Sequence, residues 1–167
     1  MDRTGLEQML WRYNSDKARA EYLRRYIPLM EKKLARLREE ALQRIGCAPP
    51  PDTVTGGRTG DSTAVFALRA VEEALSDEMR VCRNQLRRLR IECAGLEAQN
   101  ELTECLLSSL TEESRFLLTE RYIEHRRWQD LPGRYQERFG VYYSLITLRR
   151  RAAQALDTLC RTGAAAG

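Results

Sequence analysis

The sequence predicts an all-α protein: a long coiled-coil helical hairpin followed by a C-terminal three-helix module. Three observations predict it. An unbroken heptad pattern runs from Leu75 to Leu110, a second amphipathic stripe occupies about residues 4–45, and capping and stop residues divide residues 111–160 into three short helices. Composition agrees, since charged residues are 31% of the 167 and aromatics only 7%. That mix supplies helix formers, one apolar stripe and many solvated faces. The expected divisions are 1–45 (N-terminal amphipathic helices), 46–62 (flexible loop), 63–110 (long coiled-coil helix), 111–160 (three-helix module) and 161–167 (disordered tail).

In the first segment Tyr13, Ala20, Leu23, Ile27, Met30, Leu34, Leu37 and Ala41 recur at spacings of three and four, with Arg24, Arg25, Glu31, Lys32 and Arg36 on the opposite faces. Such a stripe is of coiled-coil type. Pro28 predicts a kink or break, because its ring clashes with the preceding turn and it has no N–H. Gly46 ends the helix. The stretch Cys47–Ser62 has three prolines and three glycines, so it reads as a loop. Gly56-Gly-Arg-Thr-Gly60 within it lacks the Gly-Lys-Ser/Thr ending of a phosphate-binding loop, and no strand precedes it.

Asp61 or Ser62 caps the long helix. With Met79 at an a position, Leu86, Cys93, Asn100 and Leu107 are also a, and Cys82, Leu89, Leu96, Thr103 and Leu110 are d. Two partners can bury this seam: the N-terminal helix of the same chain, or a second copy. The expectation is an intrachain hairpin that also pairs as a homodimer. Leu86, Leu89, Leu96, Asn100 and Leu107 are its candidate oligomerisation residues, Asn100 being the polar a residue that fixes register.

The composition argues against several function classes. Five cysteines with no Cys-x-x-Cys favour neither a disulfide framework nor a zinc site. The single histidine, His125, lies among arginines with no second His or Cys near it, so neither a metal nor any other cofactor is expected. Adjacent acids such as Glu39-Glu40 and Glu112-Glu113 point different ways on a helix, and no nucleophile motif is visible; the expectation is a protein that is not an enzyme. No apolar run approaches the ~20 residues of a membrane span, and no leader opens the sequence, which predicts a cytoplasmic protein without a membrane partner.

The chemistry concentrates at the C-terminal end. Between Arg121 and Arg151 stand eight arginines against three acids, while the net charge of the chain is +4. Thr111 caps a helix whose first turn is acidic, with Phe116, Leu117, Tyr122 and Ile123 on one face, running to about Arg126. Asp130 caps a second helix, with Pro132 in its first turn and Leu131, Tyr135 and Phe139 on one face. Gly140 stops it, and a third helix runs from Tyr142 or Tyr143 to Cys160. On a wheel, Leu145, Leu148, Ala152, Leu156 and Leu159 share its buried face, with Arg149 inside the apolar sector; Tyr143, Thr147, Arg150, Arg151 and Gln154 lie opposite. Helix, connector, helix, glycine turn and basic helix is a helix-turn-helix layout, whose exposed hydroxyls and guanidiniums suit base edges and phosphates.

The run Leu110-Thr-Glu-Glu-Ser-Arg-Phe-Leu-Leu-Thr-Glu-Arg-Tyr-Ile-Glu-His-Arg-Arg-Trp-Gln-Asp-Leu131 resembles the opening of a sigma-factor region-four domain. Leu145-Ile-Thr-Leu-Arg-Arg-Arg-Ala-Ala-Gln-Ala-Leu156 is similar to its recognition helix. With the preceding helices, the whole resembles phage-encoded sigma-like transcriptional regulators of the ArpU/RinA type, though the specific likeness covers only about the last third of the chain. Pro132-Gly133 and the late Gly140 depart from the pattern and predict an extended second helix. The resemblance implies a sequence-specific regulator on double-stranded DNA, with RNA polymerase as a further partner. In that reading Tyr143, Thr147, Arg150 and Arg151 face bases, and Arg126, Arg127, Arg134 and Arg138 hold the backbone. Two alternatives stand beside it: a small-terminase-like DNA-packaging protein, and a coiled-coil interaction module that binds RNA polymerase.

Overall fold

The computed structural model describes residues 2–46 and 62–165; the expected loop therefore lies outside the described residues, apart from its helical ends Gly46 and Ser62. The described residues are all-α with no strand. Helix α1 spans Arg3–Gly46, α2 Ser62–Ser108, α3 Glu112–Leu118, α4 Leu131–Phe139 and α5 Leu145–Ala165; a π-helical turn, Thr119–Ile123, continues α3, and a 3-10 turn, Trp128–Asp130, precedes α4. Residues 161–165 continue α5, which corrects the expectation of a disordered tail from 161. The helical pattern of alanines and leucines carries through Arg161 and Thr162 without a breaker until Gly163.

Contacts divide the chain into a terminal unit, Met1–Glu21 with Ala94–Gly167, and a middle unit, Tyr22–Cys93. The division differs from the expected boundary at 110. The first turns of α1 belong to the C-terminal module: Leu6 and Leu10 are fully buried in one core with Leu118, Leu131, Tyr135, Leu148 and Leu156. Within this unit α1 and α2 run antiparallel. Leu6, Met9 and Leu10 pack with Leu106, Leu107 and Leu110, and Tyr13 and Lys17 both reach Glu104. Asn14 donates from Nδ2 to the carbonyl of Ile123 at 3.0 Å, satisfying an acceptor that the end of the π turn would leave open.

In the middle unit Met30, Leu34 and Leu37 of α1 pack against Leu75, Cys82 and Leu86 of α2, with Met79 and Leu89 half-covered. Lys33–Glu78 and Arg90–Glu31 ion pairs flank this seam. The predicted a and d positions are thus buried or half-buried within the chain. Leu86 lies in the middle unit's core and Leu107 in the terminal unit's, while Leu89, Leu96 and Asn100 are half-buried. Within the chain α1 is the partner of this seam, and Leu89, Leu96 and Asn100 keep part of their surface open. Pro28 does not break α1. It is exposed, so the lost hydrogen bond falls on the solvent side while Leu23 and Met30 hold the helix down on either side.

The module's local signals match expectation in most places. The Thr111 hydroxyl accepts the N–H of Ser114 at 3.4 Å. Arg115 donates to the carbonyls of Leu107, Ser108 and Leu110, capping the C-terminal end of α2. The first module helix ends at Ile123 rather than Arg126. His125 takes the left-handed conformation, φ 56°, and the N–H of Arg126 returns to the carbonyl of Glu120 at 2.9 Å. That bond spans one residue more than the 6→1 bond of a Schellman stop, as the wider π turn before it requires, and histidine stands where such stops usually place glycine. Asp130 stands at the N-cap of α4 without a side-chain capping bond, and Pro132 occupies the first turn. Gly140 ends α4 in the left-handed region at φ 71°. A Cβ there would meet no atom within 4 Å, so Gly140→Ala isolates backbone strain. It is expected to cost about 1–2 kcal/mol, read as a lower melting temperature with unchanged helical signal. An unchanged melting temperature would show that the turn relaxes.

Candidate nucleic-acid interface

Helix α5 begins at Leu145, later than predicted, because Ser144 takes the cap: its hydroxyl accepts the N–H of Thr147 at 3.4 Å and lies 3.0 Å from the Thr147 hydroxyl. Thr147 is therefore half-buried and engaged in the cap. Leu148, Ala152, Ala155, Leu156 and Leu159 form the buried face. The outermost face is Ile146, Arg149 and Arg150, spaced i, i+3 and i+4; Ile146 is 80% exposed. Leu148, Ala152, Leu156 and Leu159 are buried and Arg150 and Gln154 exposed, as the wheel predicts, whereas Leu145, Tyr143, Thr147 and Arg151 are half-buried. Tyr143 packs edge-on to the fully buried Tyr135 at 5.5 Å. Arg151 lies over the Tyr143 ring, donates to the Tyr135 hydroxyl at 3.3 Å and pairs with Glu113 at 2.7 Å.

The remaining predicted phosphate-binding residues divide in the same way. Arg134 makes a bidentate pair with the buried Glu120, at 2.7 and 3.0 Å, which holds the Arg134 guanidinium above its ordinary value through that hydrogen bond. Arg138 pairs with Glu112 at 3.0 Å. Three of the candidate DNA-contacting arginines are thus tied to acids of the α3 region. Arg126, Arg127 and Arg150, with Arg149, are exposed and make no side-chain ion pair among the described residues. Residues 94–167 carry ten arginines against ten acids. This stretch is electrically neutral, and the guanidiniums in it that lack an acid partner among the described residues include Arg126, Arg127, Arg149 and Arg150.

A stack of rings and guanidiniums lies among them. Arg149 lies over Trp128 with its Cζ 5.5 Å from the ring centre, and Arg121 sits 5.5 Å from Trp128 and 5.4 Å from Trp11. His125 packs against Trp11 with ring centres 4.2 Å apart and planes tilted by 53°, and Arg121 donates to the carbonyl of Arg126 at 2.9 Å. Arg149, expected in the apolar sector, is instead exposed and oriented by Trp128. Trp11, Ile146 and Glu120 were not among the residues expected at this site, and Arg149 was expected on another side of α5. Glu120 had a visible signal: it falls at i+4 from Phe116 and i−3 from Ile123, on the apolar stripe of its helix, where an acid needs a partner.

Burial, then a hydrogen bond toward Glu113, pushes the Tyr135 phenol up from 10.0 to about 12. The folded state therefore prefers the neutral phenol more strongly than the unfolded chain does. That contribution is complete below pH 10.0 and is lost as pH rises through about 12. Urea midpoints of the native chain are expected to fall more steeply across that interval than those of Tyr135→Phe. Parallel curves would assign the loss to other groups.

Among the described residues no cluster of His, Cys, Asp and Glu is arranged to hold a metal ion, and no helix is long and apolar enough to cross a membrane. Comparison of the chain with protein-family models, curated proteins and solved structures finds no match.

Proposed function

We propose that the C-terminal module binds double-stranded DNA through the outer face of α5 and that the protein is a transcriptional regulator rather than an enzyme. The observation that carries this reading is the strip Ile146, Arg149, Arg150, with Arg126 and Arg127 beside Trp128. These guanidiniums have no acid partner among the described residues, while Arg134, Arg138 and Arg151 do. Arginine forks fit guanine edges and phosphates, and an exposed aliphatic residue near the start of such a helix fits a thymine methyl. Transcription as the process, a phage or prophage setting and contact with RNA polymerase rest on the sigma-like resemblance of residues 110–156.

Within the chain α1 packs on the heptad seam, and the half-buried Leu89, Leu96 and Asn100 are the positions through which a second copy would pair. Mobility shifts on random-sequence duplexes, followed by selection of bound sequences, test the proposal. Binding that weakens steeply with salt and yields an enriched motif supports it. Absence of binding at low salt would rule it out, and a ring of many subunits in light scattering would instead favour the packaging reading.

A further inference from the structure

The middle unit carries a surface of a different kind. Residues 22–46 and 62–93 hold thirteen Lys and Arg against eight Asp and Glu, a net +5, whereas residues 94–167 balance. On this unit a groove of about 510 Å³ runs between α1 and α2, lined by Ala35, Leu86 and Ile91 and by the guanidiniums of Arg38, Arg83 and Arg87. Ile91 is 64% exposed. The one acid in the lining, Glu31, is paired with Arg90. The guanidiniums of Arg38, Arg83 and Arg87 make no hydrogen bond or ion pair among the described residues.

We infer that this groove docks an acidic amphipathic helix of another protein, which lies across the α1–α2 pair as a third strand. A groove between two antiparallel helices matches the ridges of a third. Ala35 and Leu42, seven residues apart, lie on one face of α1 and extend the apolar track, Leu42 being 68% exposed. Arg83 and Arg87 are i, i+4 neighbours and meet carboxylates at the same spacing on a helical partner. Two other occupants fit worse. A second copy of the unit brings the same excess of positive charge and is repelled. A phosphate backbone satisfies the arginines but leaves Ile91 uncovered, and exposed apolar surface rimmed by charge is the mark of a protein contact.

The test uses the full chain and a fluorescein-labelled synthetic peptide of about 20 residues, long enough to form a helix, with Leu at a and d and Glu at the flanking heptad positions. Saturable binding is expected in fluorescence anisotropy. Arg83→Glu with Arg87→Glu should weaken it by about tenfold or more. Ile91→Ser should weaken it several-fold without altering its salt dependence. Both variants change exposed side chains, so circular dichroism and melting should stay as in the native chain. The inference is overturned if the Glu peptide fails to bind, if a Lys-substituted peptide binds equally well, or if Ile91→Ser has no effect. It is also overturned if a 20-base-pair duplex displaces the peptide and loses affinity equally in the double-Glu variant, which would make the groove a nucleic-acid surface. Self-association abolished by Ile91→Ser would assign the groove to a second copy.

Discussion

Arg149→Ala combined with Arg150→Ala is expected to lower affinity for duplex DNA by about a hundredfold, at roughly tenfold for each specific guanidinium contact removed. The slope of log affinity against log salt should fall by about two if both reach phosphates. Melting temperature should move little, because both side chains are exposed and lack an acid partner, and the Arg149 contact with the Trp128 ring is a surface cation–π pair. Arg151→Ala is the contrasting case. It removes the contacts to Glu113 and to the buried Tyr135 hydroxyl, so its primary signature should be a lower melting temperature, with any loss of binding following the loss of folded protein. Full DNA affinity in the Arg149/Arg150 double variant would refute the outer face of α5 as the interface. A direct binding loss in Arg151→Ala, with melting unchanged, would place Arg151 in the interface, as the wheel predicts.

The second large effect lies far from that face in sequence. Leu10→Ala should destabilise the C-terminal module by about 2–5 kcal/mol, the range for emptying a well-packed leucine site. Leu10 is fully buried in the core that also holds Leu118, Leu148 and Leu156. The fluorescence of Trp128, which lies against that core, should report the earlier transition. DNA binding should fail at the lower temperature too. Ile146→Ala, at an 80% exposed site, should change stability by under about 0.5 kcal/mol. If Leu10→Ala leaves the module's transition in place, α1 is not part of its core.

The heptad seam was legible because each apolar residue repeats the same demand over several turns, and a pattern that redundant survives Gly95 and Asn100. The helix starts at Thr111 and the stop at Gly140 were legible because caps are local chemistry. What was not legible depends on partners distant in sequence. Nothing near Leu6 and Leu10 says that they belong with Leu118 rather than with the middle of a coiled coil. The facing of Arg151 turns on Glu113, in α3, which pulls inward a side chain that the wheel places outside. Pro28 was misread because local stereochemistry was given more weight than the packing of Leu23 and Met30 around it. Of the side chains expected on the outer face of α5, Arg150 is exposed, while Tyr143, Thr147 and Arg151 are drawn half-inward by Tyr135, Ser144 and Glu113.

The terminal unit's core has a consequence for synthesis. Leu6 and Leu10 emerge from the ribosome well before Leu148 and Leu156, their companions in the core. At ordinary rates of elongation the interval is roughly 7 to 30 seconds. Leu106, Leu107 and Leu110 give the first turns of α1 partial cover part-way through it, but the α5 side of their core arrives only at its end, whereas the middle unit, Tyr22–Cys93, has all its residues available earlier. The nascent chain thus offers a short, dated hydrophobic tag to chaperones, and a message cut before the codons of α5 would leave that tag only partly covered.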